Sequence, residues 1–125
     1  MNAAFLVAGG VVVVNGLVHS YAGERIILVP LLGRRDLPPL LGSEELTKRV
    51  LRAVWHFATL WWLTVAAILF ALSDATLDGP GKTAMLILAV PFALMALVVL
   101  WGSRGRHLGW LAFLIIAIGM FWGAL

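Results

Sequence analysis

The chain has 125 residues, of which 62% are hydrophobic and only 12% are charged, against about 25% charged residues in an ordinary soluble domain. Because so little polar surface could not cover such a core, this composition excludes an ordinary soluble protein and indicates one embedded in lipid. The chain has no cysteine, which excludes disulfides and thiolate metal sites. Its net charge is +3, but six of its nine Lys and Arg residues lie in one loop, which indicates a membrane-orientation signal rather than nucleic-acid binding.

Four continuous apolar runs follow one another along the chain. They cover about residues 2–22, 53–72, 83–101 and 108–125. Each has about the 20 residues that a helix needs to cross a bilayer, and continuous runs are typical of helices, not of alternating strands. The first run is too long for a signal-peptide core and no cleavage site follows it, so we expect a retained span. The sequence therefore predicts an all-α, single-domain bundle of four transmembrane helices.

The connections between the runs predict the orientation of the chain. Residues 23–52 contain six Lys or Arg residues, residues 102–107 contain two, and residues 73–82 contain one. The positive-inside rule therefore places the first and third connections in the cytoplasm and both termini outside it. We expect the basic residues to contact anionic lipid at the cytoplasmic face.

The first connection contains a helix end and a helix start. Pro30 lacks a backbone N–H, so we expect the first helix to end there. Ser43 is followed by two glutamates, which is typical of a helix N-terminus. The second helix should therefore begin at Ser43 and continue unbroken to Leu72, with its first third among the lipid headgroups.

Glycines mark the faces on which helices can approach closely. Gly9, Gly16 and Gly23 recur every seven residues in the first helix, and Gly119 and Gly123 form a G-x-x-x-G pair in the fourth. Such small-residue faces let membrane helices pack with their backbones near each other. We expect these glycines to lie at helix–helix contacts.

Two histidines are predicted to lie at the same depth near the cytoplasmic face. His19 is about three residues inside the end of the first span, and His56 is about three residues inside the start of the antiparallel second span. An ionisable residue within a span is costly, so it indicates a functional site by default. Helical spacing adds polar neighbours to each histidine. The predicted ligand-binding residues are Asn15, His19, Arg52, His56 and Thr59.

The same region offers imidazole and carboxylate groups, which suit a zinc, iron or copper ion. The candidate metal ligands are His19, His56, Glu24 and His107. Glu24 lies five residues after His19, about 140° around an ideal helix, so it should join His19 only if the helix bends near Gly23. No known metal-binding spacing is present.

Several functions are compatible with this histidine cluster, and the cofactor stays open. The favoured hypothesis is a small membrane protein that binds a metal ion or small ligand at this site. The alternatives are an accessory subunit whose histidines only hold the bundle together, a proton or solute transporter, and a bis-histidine haem protein. Homo-oligomer formation or membership of a larger membrane complex is also compatible with the glycine-rich surface. No serine–histidine–acid motif is recognisable, so no catalytic residue is assigned.

Two short strings resemble motifs of small four-span bacterial inner-membrane proteins of unknown function. They are His19-Ser20-Tyr21-Ala22-Gly23-Glu24 and Trp55-His56-Phe57-Ala58-Thr59. The resemblance covers about the first sixty residues and implies no activity. It implies a location in the bacterial inner membrane, and it implies that the polar residues of the first two helices belong together.

Overall fold

The computed structural model describes all residues from 1 to 125 and contains four helices and no sheet. They are α1 (Ala3–Leu32), α2 (Glu44–Leu72), α3 (Gly79–Gly102) and α4 (Gly109–Ala124). The prediction of an all-α fold is therefore confirmed.

Three of the helices, α1 to α3, are long and apolar enough to cross a membrane. The fourth, α4, is equally apolar but has 16 residues, which corresponds to a length of about 24 Å. The outward faces carry large apolar side chains, and Val14, Leu60 and Leu97 are each 62% exposed. Such a surface is unfavourable in water and favourable in lipid. The chain is therefore a membrane protein.

The helices pack in the spatial order α2, α1, α4, α3, so that α1 and α4 occupy the centre. Every helix contributes to one apolar core. The largest fully buried side chains are Phe5, Val12, Val65, Leu69, Ile116 and Met120. Since lipid tails are as apolar as this core, close packing rather than escape from water must hold the helices together.

The glycines of α1 allow α2 to approach closely. Gly9, Gly16 and Gly23 all face α2, where Thr59 lies beside Gly16 and the Trp55 ring lies against Gly23. A Cβ atom at Gly23 would overlap the Trp55 ring. The predicted seven-residue glycine seam is therefore confirmed as the α1–α2 contact.

The end of the bundle opposite the basic loop is joined by the Asn2 side chain. Its oxygen accepts hydrogen bonds from the N–H groups of Ala4 and Phe5, and its nitrogen donates to the carbonyl of Gly123 at 2.8 Å. Nearby, Gly119 lies against Ala8. The predicted small-residue face of the fourth helix therefore packs against α1.

The prediction that α1 ends at Pro30 is wrong, because the helix continues for two residues beyond it. Residues Glu24–Leu28 form a π-helical turn, in which the N–H of Val29 bonds to the Glu24 carbonyl five residues back. A final α-helical segment, Val29–Leu32, has Pro30 in its first turn. The wide turn already shifts the hydrogen-bond ladder before Pro30, so the missing N–H is tolerated.

The start of α2 agrees with the sequence. The Ser43 hydroxyl accepts a hydrogen bond from the Leu46 N–H at 3.2 Å, and the helix runs without a break through 29 residues to Leu72. Its length is about 44 Å. We call the end of the bundle where α1 ends and α2 begins the basic end, because residues 23–52 contain six of the nine Lys and Arg residues.

Candidate functional site

Four polar side chains form a hydrogen-bonded network between α1 and α2 at the basic end. The Glu24 carboxylate pairs with the Arg52 guanidinium at 2.9 Å and, through its other oxygen, with His56 Nε2 at 3.2 Å. The second nitrogen of His56, Nδ1, lies 2.7 Å from the hydroxyl oxygen of Ser20. We call these four residues the Glu24 network.

Regular helix geometry brings these four groups together. Ser20 and Glu24 are four residues apart on α1, and Arg52 and His56 are four residues apart on α2, so each pair shares one face of its helix. The two helices are antiparallel, so the pairs meet. Glu24 reaches His56 from the same face as Ser20 and does not join His19, which would have required a bend near Gly23.

The partners of His56 determine its neutral tautomer. An ionised carboxylate only accepts hydrogen bonds, so Nε2 donates to Glu24. Nδ1 of the neutral ring is then an acceptor for the Ser20 hydroxyl. The bonds run from Ser20 to His56 to Glu24, and Arg52 donates to the same carboxylate from the other side. Every member of the network therefore has a partner.

His19 contacts α2 through a different residue, Trp55. Its Nε2 lies 3.3 Å from the Trp55 carbonyl oxygen, and the indole N–H of Trp55 donates to the His19 carbonyl at 3.1 Å. The two rings are stacked with centroids 4.4 Å apart, and Trp62 meets His19 edge-on at 4.8 Å. Because a carbonyl only accepts, the His19 Nε2 carries the proton of the neutral ring.

Two separate cavities open beside this α1–α2 contact. The first, which we call the basic groove, has a volume of about 470 Å³. It is lined mainly by Val29, Leu32, Lys48, Arg49, Arg52 and His56. The second, which we call the histidine cavity, has a volume of about 390 Å³. It is lined mainly by Asn15, His19, Trp55, Trp62, His107 and Phe113.

The predicted ligand-binding residues are therefore divided between two places. Arg52 and His56 line the basic groove, whereas Asn15 and His19 line the histidine cavity. Thr59 lines neither of them; it is buried at the glycine seam, and its hydroxyl has no hydrogen-bond partner. The spacing along each helix predicts which of these side chains share one face of that helix, but not which cavity that face lines. The rotation of α1 against α2 separates them.

The predicted metal ligands are also not brought together as one set. No group of three or more histidine or acidic side chains is arranged to hold a metal ion. His56 and Glu24 bond to each other, whereas His19 and His107 line the histidine cavity on another face of α1. His19 and His56 therefore do not face a common space, which a bis-histidine haem would require.

Two residues of the site were not among those predicted from the sequence. Ser20 completes the Glu24 network, and Trp55 holds His19. The four-residue spacing of Ser20 and Glu24 was a usable signal for the first. Trp55 lies near the end of its apolar run and Trp61 and Trp62 lie deeper, so the sequence predicts an interfacial ring at Trp55 but not its hydrogen bond to His19.

The contact of Ser20, His56 and Glu24 superficially resembles a hydrolytic triad. A triad also needs free N–H groups near the nucleophile to bind the developing oxyanion. Ser20 lies inside α1, where backbone N–H groups already bond to carbonyls of the preceding turn. The network therefore suits the positioning of Arg52 at the basic groove better than nucleophilic attack.

No known protein family matches this chain, and neither does any curated protein or any solved structure.

Proposed function

We propose that this chain is a four-span protein of the bacterial inner membrane that binds a phosphate-bearing anion in the basic groove. In this proposal both termini lie outside the cytoplasm and the groove lies at the cytoplasmic face. The observation that supports it best is the position of the Arg52 side chain and its ion pair with Glu24. The side chain is half exposed at the groove, and Glu24 holds the guanidinium at 2.9 Å.

The charges around the groove favour an anion. Lys48, Arg49 and Arg52 lie within two turns of α2 and line the groove together with one carboxylate, Glu45. Arg49 is paired with Glu45 at 3.0 Å, whereas Lys48 makes no ion pair. Lysine and arginine are the side chains that proteins use most for phosphate, and an arginine can bind it through two parallel hydrogen bonds.

The opposite wall of the groove is apolar. Val29 and Leu32 come from the last turn of α1, next to the basic side chains of α2. A cationic wall beside an apolar one suits the phosphate of a lipid headgroup and the first carbons of its acyl chain. A free phosphate ester would use the same cations without the apolar wall.

The Glu24 network gives Arg52 a role that a surface arginine lacks. The carboxylate of Glu24 is itself held by His56, which is held by Ser20. An arginine that is already oriented loses less side-chain entropy when it binds an anion. We therefore assign Glu24, His56 and Ser20 as positioning residues and Arg52 and Lys48 as contact residues.

The proposed topology predicts which sites a membrane-impermeant maleimide can label. The chain has no native cysteine, so single cysteines can be introduced at Arg35 and at Thr76, both of which are exposed. In intact bacterial cells we expect labelling of Thr76→Cys and none of Arg35→Cys. Equal labelling of both, or the reverse pattern, would overturn the proposed orientation.

The proposed binding predicts that anionic ligands raise the melting temperature of the protein in detergent. A ligand at about 100 times its dissociation constant stabilises a protein by about 2.7 kcal/mol. We expect phosphatidylglycerol to raise the melting temperature more than phosphatidylcholine does. Arg52→Gln and Lys48→Gln should each reduce this shift by at least half.

The control is Arg34→Gln, which also removes one positive charge from the basic end of the bundle. Arg34 bonds to Asp36 at 2.6 Å and does not line the groove, and its guanidinium holds the pKa of the Asp36 carboxyl below its ordinary value. Titration with inorganic phosphate separates the two ligand sources, because a free-anion site would be stabilised by phosphate alone. Equal shifts in the wild type and Arg52→Gln would contradict anion binding in the groove.

A further inference from the structure

The histidine cavity continues into a second, longer groove between α1 and α4. This groove has a volume of about 740 Å³ and shares Asn15, Val18, His107 and Gly109 with the histidine cavity. The two spaces therefore form one site with a polar end and an apolar extension. We call the extension the lipid-facing groove.

The shape of the lipid-facing groove suits an extended hydrocarbon chain. It follows α1 from Leu6 to Val18, which is about 18 Å along the helix axis. Its wall is apolar, and Val7, Val14 and Val18 are each more than half exposed, so the groove opens toward lipid tails. At Gly10 an added Cβ would meet no atom within 4 Å, so the groove has free space there.

The histidine cavity supplies unused hydrogen-bonding groups at the polar end of the site. Nδ1 of His107 accepts from the Gly109 N–H at 3.0 Å, so Nε2 of the neutral ring carries the proton and is free to donate. His19 has the same tautomer, but its Nε2–H already donates to the Trp55 carbonyl, so Nδ1 is the nitrogen left free and it is an acceptor. The amide of Asn15 makes no hydrogen bond in the structure and also lines the cavity.

Aromatic rings and the absence of charge complete the chemistry of the cavity. Trp62 and Phe113 pack edge to face with centroids 5.4 Å apart and both line it. No lysine, arginine or carboxylate lines the histidine cavity itself, and Arg106 lines only the adjoining groove. A phospholipid phosphate would lie there without a cation, whereas neutral oxygens need only the hydrogen-bond donors.

We propose that the histidine cavity and the lipid-facing groove together bind a lipid-soluble quinone. The ring lies in the cavity beside Trp62 and Phe113, and the ring oxygens accept hydrogen bonds from His107 Nε2 and from the Asn15 amide. The isoprenoid tail lies along α1 past Gly10. This site is independent of the basic groove, with which it shares no lining residue.

The test uses a benzoquinone with two isoprene units as the probe, with the protein in phosphatidylcholine nanodiscs. Quinones quench tryptophan fluorescence on contact, and Trp55 and Trp62 both line the cavity. We expect saturable quenching in the wild type. His107→Ala and Asn15→Leu should each weaken binding by about tenfold, which is the loss expected for one hydrogen bond.

A second variant tests the tail. Gly10→Leu places a side chain in the lipid-facing groove at a position where the Cβ atom meets nothing within 4 Å, so the fold should be kept. It should weaken binding of the tailed probe by about tenfold and leave binding of a tail-less benzoquinone unchanged. Arg34→Gln, in the distant loop, is the matched control and should bind the probe like the wild type.

Three results would overturn the proposal. One is quenching that rises without saturation, since that reports only partition into lipid. Another is evidence that an ordinary lipid occupies the groove. Either equal affinity for an isoprenoid alcohol that lacks the ring or displacement of the probe by phosphatidylglycerol would show this. The third is wild-type affinity in both His107→Ala and Gly10→Leu, provided that their circular dichroism shows the wild-type helix content.

Discussion

Replacing Gly23 with alanine should lower the free energy of unfolding by about 2–3 kcal/mol, because the added methyl group overpacks the α1–α2 contact. Its Cβ atom would overlap the indole of Trp55. That indole cannot turn away freely, since it donates to the His19 carbonyl at 3.1 Å and stacks on the His19 ring. Relief of the overlap must therefore separate the helices or break the Trp55–His19 contact.

Thermal unfolding in detergent micelles, followed by circular dichroism, measures this effect. The matched control is Gly10→Ala on the same helix, where a Cβ atom meets nothing within 4 Å. The control should be neutral or slightly stabilising, because alanine favours a helix over glycine by about 1 kcal/mol. If Gly23→Ala melted at the temperature of Gly10→Ala, the close approach of α1 and α2 at Trp55 would be wrong.

The second large effect is expected from Glu24→Ala, at about 2 kcal/mol of lost stability. The substitution removes the acceptor of both Arg52 and His56, and the Glu24 side chain is only 28% exposed. Hydrogen bonds to charged groups contribute about 1.5–3 kcal/mol when they are sheltered from water. Glu24→Gln should retain part of the stability, since its amide oxygen can still accept one of the two hydrogen bonds.

A double-mutant cycle between Glu24 and Arg52 isolates the pair from other effects of each substitution. We expect a coupling energy above about 1 kcal/mol, against less than about 0.5 kcal/mol for the exposed pair of Glu45 and Arg49 on α2. The exposed fractions are 28% and 50% in the first pair and 62% and 75% in the second. Equal coupling in the two pairs would show that the Glu24 network does not shelter its ion pair.

The start of α2 shows why part of the fold could be predicted. Ser43 caps the helix through a hydrogen bond to a residue three positions on, and the apolar run that follows needs no distant contact to become helical. The same holds for the glycine seam, because a seven-residue repeat lies on one side of any helix. These features depend on neighbours within about two turns, and such neighbours are readable in sequence.

The division of the histidines shows what local patterns could not reveal. His19 and His56 do lie near the same end of the bundle, as their positions in the two apolar runs predict. Yet His56 bonds to Ser20 and Glu24, whereas His19 bonds to Trp55 and faces another cavity. The side that each ring faces depends on the rotation of one helix about its axis relative to the next.

By itself, the sequence determined that this is an all-helical membrane protein, where α2 begins and which face of α1 meets its neighbour. Hydrophobic length, capping and glycine spacing depend on short stretches of the chain, so they can be predicted without knowing the tertiary structure. Only the tertiary structure decided which polar groups form hydrogen bonds and that α1 continues past Pro30. It also divided the predicted single pocket into the basic groove and the histidine cavity. Those outcomes depend on side-chain shape across the α1–α2 and α1–α4 contacts, where the rotation of each helix about its axis sets which side chains meet.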